Sequence, residues 1–367
     1  MIYLDNAATS FIKPVCVQQA VLNAMQSMAS PGRGAYSQAM NAADIIYKCR
    51  VAAAELLNAP EPENVIFTSN ASHSLNIAIN SLVNRGDRVL MSGFEHNSVS
   101  RPLYESGAQV VVTGRKLFDK NAILEDFTEK IKNADIVVCT HVSNVFGFIL
   151  PIYEIAELCA EKSVPLIIDA SQSAGLININ QDKLKAAFIA APGHKGLFGP
   201  QGTGILLCNA ETKPIIHGGS GSDSRLQQMP DYLPDRLEAG THNVPGIAGL
   251  LAGINYVLEN GTNTILAHET QMLELMIEKL LDSSYELFYG RDQSGVLSLR
   301  NREIDCEQIA SILADNGICV RAGMHCAPTA HDSAGTLETG TVRFSFSPFV
   351  TSDQILYVCE LLKSVSS

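Results

Sequence analysis

The chain contains no tryptophan, and only 6% of its 367 residues are aromatic. Packing therefore falls to Ala, Gly, Ile, Leu and Val, the composition expected where helices cover a largely parallel sheet. Charged residues are also sparse, 17% against 46% hydrophobic, so a sizeable core can be buried. Clustered positive charge is missing. The net charge is -12, which argues against a phosphate-backbone partner and hence against nucleic acid. Apolar runs are strand-sized, short of the roughly 18 residues that suggest a membrane span. The opening "MIYLDNAATS" lacks a basic stretch followed by an apolar one, so no signal peptide is expected. Paired cysteine spacing is absent too. There are nine cysteines, an odd number, with no C-x-x-C pair. A disulfide framework is not expected on that pattern, and a cytoplasmic setting is. Cysteines such as those in "VVCTH", "ELCAE", "LLCNA" and "YVCEL" read as small buried hydrophobes.

What is present is an alternation of apolar runs and amphipathic stretches. Strands are expected at 64–69, 87–92, 108–114, 134–141, 164–171, 185–193 and 202–208, with helices at 72–83, from Asn97, and over "IYEIAELCAEKS". This βαβα rhythm implies an α/β fold with a mostly parallel, doubly wound sheet. Near Thr241 the rhythm changes. A glycine-spaced helix, a long amphipathic helix over 269–283, and the segments "GVLSLRN", "CEQIASILADNG", "ICVRAG", "TVRFSFSP" and "DQILYVCELLKSV" read as a smaller α+β unit. A large domain over 15–245 is expected, with 1–14 and 246–367 forming the small one.

The strongest local signal is "FIAAPGHKGLFGPQGTGIL". Lys195 follows a strand and a Pro-Gly turn, and Gly196, Gly199, Gly202 and Gly204 follow it. Glycines there suit close approach of backbone or ligand. A phosphate loop of the G-x-x-x-x-G-K-[ST] kind does not match, because most of the glycines come after the lysine and no Ser or Thr follows it. Upstream, "PLIIDASQSAG" sets Asp169 at the carboxyl end of a strand, where ligands bind in open α/β sheets. A carboxylate and a lysine in one crevice suggest a metal site, an acid–base pair, or a lysine imine with a pyridinium partner. Metal is disfavoured, since lysine is a poor ligand and the histidines lack metal spacing. The imine reading fits best, because a Schiff-base lysine and an Asp on a pyridine nitrogen mark pyridoxal phosphate (PLP) sites.

A phosphate needs a cradle. "TSNASHSLN" offers Ala71, Ser72 and His73 at a helix start, although Ser72 alone reads as a plain N-cap. "GFEHNSVSRP" sets His96 at a strand-to-helix turn, and "THVSNVFG" sets Asn144 at a strand end. Arg343 interrupts the apolar run "TVRFSF", where an unpaired charge is costly. In "GICVRAGMHCAP", Cys319 reads as a buried strand residue and Cys326 as the mobile residue of a loop.

Seven stretches appear in a family order: "YLDNAAT", "EHNS", "HVSNVFG", "IIDASQSAG", "GHKGLFGPQGTG", "RLEAGTHNVPGIAG" and "RAGMHCAP…GTVRFSFSPF". On these the chain resembles the class V aminotransferase family, and within it the group II cysteine desulfurase and selenocysteine lyase branch. The resemblance implies a PLP-dependent transferase of fold type I, a homodimer with its sites at the subunit interface. Lys195 would be the Schiff-base lysine, Asp169 the partner of the pyridine nitrogen, Gln172 a contact to the phenolic oxygen, and His96 the ring-stacking residue. Ser72, His73 and His194 would hold phosphate, with Thr241 reaching in from the partner subunit. Asn144, Arg321 and Arg343 would receive the substrate carboxylate. Cys326 would take sulfur from L-cysteine as a persulfide, leaving alanine, and an acceptor protein would then receive the sulfur. Its thiolate would be favoured by a nearby positive group, His325 being the candidate. L-selenocysteine is an alternative substrate. Class V aminotransferase or lyase chemistry with a non-catalytic Cys326 is an alternative reaction. One departure stands out: Pro192 occupies the place of a family serine that helps hold phosphate.

Overall fold

The structure is a computed structural model and describes residues 1–32 and 34–365. Its centre is a seven-stranded sheet. The spatial order is Val65–Thr68, Gly204–Cys208, Phe188–Pro192, Leu166–Asp169, Ile136–Thr140, Arg88–Ser92, Gln109–Thr113. Pairing is parallel from Phe188–Pro192 to the far edge, and Gly204–Cys208 alone runs against its neighbours. The expected mostly parallel sheet is thus present. Its inner strands are buried along their whole length. Both faces are covered, so the strands read as continuous apolar runs and not as alternating ones.

A second sheet of four antiparallel strands follows in the order Arg321–Gly323, Thr341–Ser345, Val296–Arg300, Glu286–Phe288. It has its own core, built from Leu4 and from residues such as Met272, Met276, Leu299, Phe344 and Leu362. The N-terminus joins this unit. Ile2–Tyr3 pairs in parallel with Ile318–Cys319, and Asp5 bridges to Ser345.

Several local expectations change. Helix Val244–Asn260 packs on helices Val15–Ser27 and Ser37–Leu56, and its Ile247, Leu250, Ile254 and Val257 belong to the core of the large sheet. A division at 245 therefore cuts a helix away from the core it fills. The long amphipathic helix spans Thr262–Leu280, earlier at both ends than 269–283. "ICVRAG" is two strands in different sheets, broken at Val320. Helix Ala71–Leu82 is capped by Asn70, whose side chain accepts from His73 N at 2.9 Å, so Ser72 is inside the helix and not its cap.

All cysteines are free thiols. Cys139, Cys159, Cys208 and Cys359 are buried as read, whereas Cys319 is only part-buried and Cys326 is exposed. Among the described residues, no helix is long and apolar enough to cross a membrane.

Candidate active site

The carboxyl ends of the parallel strands open into one cleft of about 780 Å³, its mouth included. Lys195, Asp169, Gln172, His96, His194, Asn144, Ser72, Arg321, Arg343 and Cys326 all line it, and so does Pro192. Residues from 72 to 343 thus converge: the large sheet's strand ends and the turns and helix starts that follow them supply Ser72, His96, Asn144, Asp169 and Lys195, while the second sheet and its loop supply Arg321, Arg343 and Cys326.

Asp169 ends Leu166–Asp169, in register with Thr140 on one side and Ala190 on the other. Its Oδ1 accepts from Ser171 N at 2.9 Å. Lys195 lies in the turn after Phe188–Pro192. That turn presses backbone to backbone on the loop following Asp169. A Cβ on Gly175, at φ +85°, would stand 2.2 Å from Gly196 O, and one on Gly196 would stand 2.5 Å from Ala174 O. Only glycine permits this approach, which sets the lysine beside the carboxylate. Burial pulls the Lys195 amine down to about 8; Arg343 and Arg321 add to the shift and Asp169 opposes it. Among the described residues no hydrogen bond engages its Nζ.

His96 is both a site residue and a helix cap. Its Nδ1 accepts from Ser98 N at 3.0 Å and lies 2.9 Å from Ser98 Oγ. Burial, then the charge on Lys195, bring its pKa down to about 4, so the ring is neutral at pH 7. Ser98 Oγ also meets Ser72 Oγ at 2.6 Å. His194 Nδ1 lies 3.0 Å from Thr9 Oγ1, and burial, Lys195 and Lys13 bring the ring to about 4. Gln172 Nε2 donates to Ala7 O at 2.9 Å, which leaves its amide oxygen free.

Arg343 is 1% exposed. Its Nη2 pairs with Asp5 Oδ1 at 2.6 Å and its Nη1 donates to Asn144 O at 3.0 Å. Arg321, on the adjacent strand and in register with Arg343, is exposed, and no hydrogen bond or ion pair engages its guanidinium among the described residues. The cleft therefore holds one neutralised arginine and one free one.

The Cys326 loop departs from the expectation of mobility. Asn144 Nδ2 donates to His325 O at 2.8 Å, and Asn97 N donates to Cys326 O at 2.7 Å. His325 and Cys326 both take the left-handed region, at φ 48° and 55°. Non-glycine residues there are strained and persist when the surroundings hold them. The His325 ring turns inward. Its Nε2 lies 3.1 Å from Thr341 O and from Thr341 Oγ1, and the ring stacks on His331 at 5.5 Å. Burial and Arg343 hold it well below the usual histidine range, so it brings no positive charge to Cys326.

His73 and Thr241 lie outside this cleft, in a neighbouring cavity they share with Thr68, Ser69 and Glu238. Thr241 is exposed there, and its segment is anchored by buried Glu238. That carboxylate pairs with Arg50, accepts from Phe67 N at 2.6 Å and meets His242 Nε2 at 2.6 Å.

Two residues were given no role by sequence. Asp5 lies in "YLDNAAT", but nothing local tells that it pairs with a residue 338 positions away. Glu95 precedes His96 and is fully buried. Its Oε1 accepts from Ser92 Oγ and Thr140 N, each at 2.5 Å, tying two strand ends together. Burial chiefly, with Asp169, raises its pKa to about 8. The only sequence signal for either was membership of a recurring motif.

The class-V aminotransferase family model matches residues 2–358. The chain belongs to this family. Probable cysteine desulfurases of Methanothermobacter thermautotrophicus and Pyrococcus abyssi are each 32% identical, over 100% of this chain and 94% and 96% of theirs. The apo structure of a cysteine desulfurase from Thermococcus onnurineus NA1 superposes with a TM-score of 0.91 at 30% identity, covering 100% of this chain and 94% of that one. The family fold is the one described above, and class V members are PLP-dependent enzymes.

Proposed function

We propose that the protein is a PLP-dependent cysteine desulfurase acting on L-cysteine. The observation that carries this reading is a single cleft holding Lys195, Asp169, Arg321 and Arg343, with the Cys326 thiol at its mouth. The donor set fits the cofactor. A carboxylate at the sheet edge suits a pyridine nitrogen. An amine brought to about 8 is partly free base at neutral pH and can bond a carbonyl carbon. A neutral His96 ring suits an aromatic face. The start of helix Ala71–Leu82 with Ser72, and His194 across the cleft, suit a phosphate. Pro192 supplies no donor, and Ser98, hydrogen-bonded to both Ser72 and His96, offers a hydroxyl there.

When bound, PLP supplies a carbonyl for the substrate amine and a ring that withdraws electrons from the α-carbon. The chain's residues do the rest. Arg321 and Arg343, with Asn144, hold the substrate carboxylate. Lys195 takes the α-proton, being close, part-buried and only weakly basic for a lysine. Asp169 keeps the ring nitrogen protonated. The Cys326 thiolate attacks the substrate sulfur, the Cβ–S bond breaks, and sulfur stays on Cys326 as a persulfide. Protonation at Cβ and return of a proton to the α-carbon from Lys195 give alanine, and a thiol of an acceptor protein then takes the sulfane sulfur. Thr241, outside the cleft, serves the site of a second subunit in a homodimer.

The test is direct. Purified protein should be yellow and should convert L-cysteine to alanine, releasing sulfide when a reductant is present. A Cys326→Ser variant that stays yellow and still desulfurates cysteine at the wild-type rate would overturn the role of Cys326 and favour plain class V lyase chemistry. Selenocysteine turnover, assayed in parallel, reports on the substrate alternative.

A further inference from the structure

A second, smaller cavity lies on the far side of Lys195, between the large sheet and the second core. Glu269 and Ser294 line it, with Asn6, Gln172, Ser347 and Lys195 itself. Glu269 sits on the apolar face of helix Thr262–Leu280, among Ile265, Met272, Leu273 and Met276. It is 9% exposed, and no hydrogen bond or ion pair engages it among the described residues. Ser294 is 1% exposed and its Oγ is likewise unpartnered. Two buried polar groups without partners in one cavity are an unusual cost.

We propose that this cavity binds one monovalent alkali cation, with Glu269 as its charged ligand. Oxygen-bearing side chains supply most of its polar lining. Gln172 Nε2 is committed to Ala7 O and Asn6 Nδ2 to Ser345 O, which leaves the two amide oxygens. The carboxylate and the hydroxyls of Ser294 and Ser347 add to a hard, oxygen-rich set. Neither histidine nor cysteine lines it to favour a transition metal, and a single carboxylate balances a single positive charge. Divalent ions call for more carboxylates or tighter octahedral geometry. Gly295 lets the carboxylate lie against the chain, since a Cβ there would stand 2.7 Å from Glu269 Oε2. No side-chain cation offsets the charge of Glu269. Burial alone acts on it and holds the carboxyl well above the ordinary range. A bound cation removes that penalty.

The inference does not rest on the desulfurase reading, and its test involves no turnover. The purified full-length protein is melted in tetramethylammonium, sodium and potassium chloride at equal ionic strength. Sodium or potassium should raise the midpoint by roughly 2–4 °C over tetramethylammonium. The rise should vanish in Glu269→Gln and shrink in Ser294→Ala. Should Glu269→Gln fail to fold, Ser294→Ala carries the comparison. Crystals soaked in thallium(I) should show an anomalous peak beside Glu269 and Ser294. Equal wild-type midpoints in all three salts with no such peak, or a rise that survives in Glu269→Gln, would overturn the proposal. A Glu269→Gln protein more stable than wild type in every salt would identify the cavity as a water pocket around a neutral acid instead.

Discussion

The floor and the mouth of the cleft are built in opposite ways. The floor is Asp169 and Lys195, held by buried parallel strands and by a glycine contact that no other residue could make. Its chemistry comes from burial, which moves a lysine to about 8 and a histidine to about 4. The mouth is Cys326, exposed on a short loop in left-handed backbone and pinned by two hydrogen bonds from the large domain. Its chemistry comes from placement, since the neighbouring His325 is turned away and neutral. Groups whose protonation is shifted sit where burial reaches them. On the proposed reading, the group that would first meet substrate sulfur and then an acceptor sits where both can reach it.

That contrast can be broken from either side. The largest effect is expected at the floor. Lys195→Ala should lower cysteine turnover by about 10⁴-fold or more, because it removes both the covalent anchor and the base, and the yellow absorbance should shift or vanish. At the mouth, Cys326→Ser should cut desulfuration by about 10²-fold or more while leaving the visible spectrum intact. If both variants lose colour, the two regions are not separable.

Stability sharpens the distinction. In the cofactor-free protein, Lys195 binds a proton less readily when folded than when unfolded. Between about 8 and its ordinary 10.5 the unfolded chain holds more protons, so the group's contribution to stability rises with pH across that window. Below pH 8 its burial is a penalty of at most about 3 kcal/mol, part of it screened at the cleft mouth. Lys195→Met should therefore be more stable than wild type at pH 7 in urea titrations, with the gain disappearing towards pH 10.5. A pH-independent difference would mean that packing, not charge, is responsible. Asn144→Ala removes the donor to His325 O and should cost about 1–3 kcal/mol. It should also speed hydrogen exchange at residues 324–327 while sparing those at 166–169. Smallest of all, Cys326→Gly relieves the left-handed strain and should gain about 1 kcal/mol, a gain that Cys326→Ala should not reproduce.

Much of the floor was legible in the chain. The apolar runs that become Ile136–Thr140, Leu166–Asp169 and Phe188–Pro192 announce buried strands, and Asp169 and Lys195 stand at their ends. Local chemistry marks such positions, because strand length and turn residues are short-range properties. Less was legible where the outcome depends on a distant partner. The cap at Asn70 competed with a plausible Ser72 only two residues on. The split of "ICVRAG" between two sheets depends on Ile2–Tyr3 arriving from the other end of the chain. Helix Val244–Asn260 follows the change of rhythm in sequence yet packs into the large core, since its apolar face matches helices Val15–Ser27 and Ser37–Leu56.

By itself the sequence determined the α/β class and the family, and it marked Lys195, Asp169 and Cys326 as candidates, because those rest on periodicity and on motifs a few residues long. Tertiary structure decided the rest. It joined Arg343 to Asp5, left Arg321 free beside it, turned His325 away from Cys326, and enclosed Glu269 without a partner. Each of these is a contact, or a missing contact, between segments far apart in the chain. Charge state and orientation follow from such contacts and not from residue type.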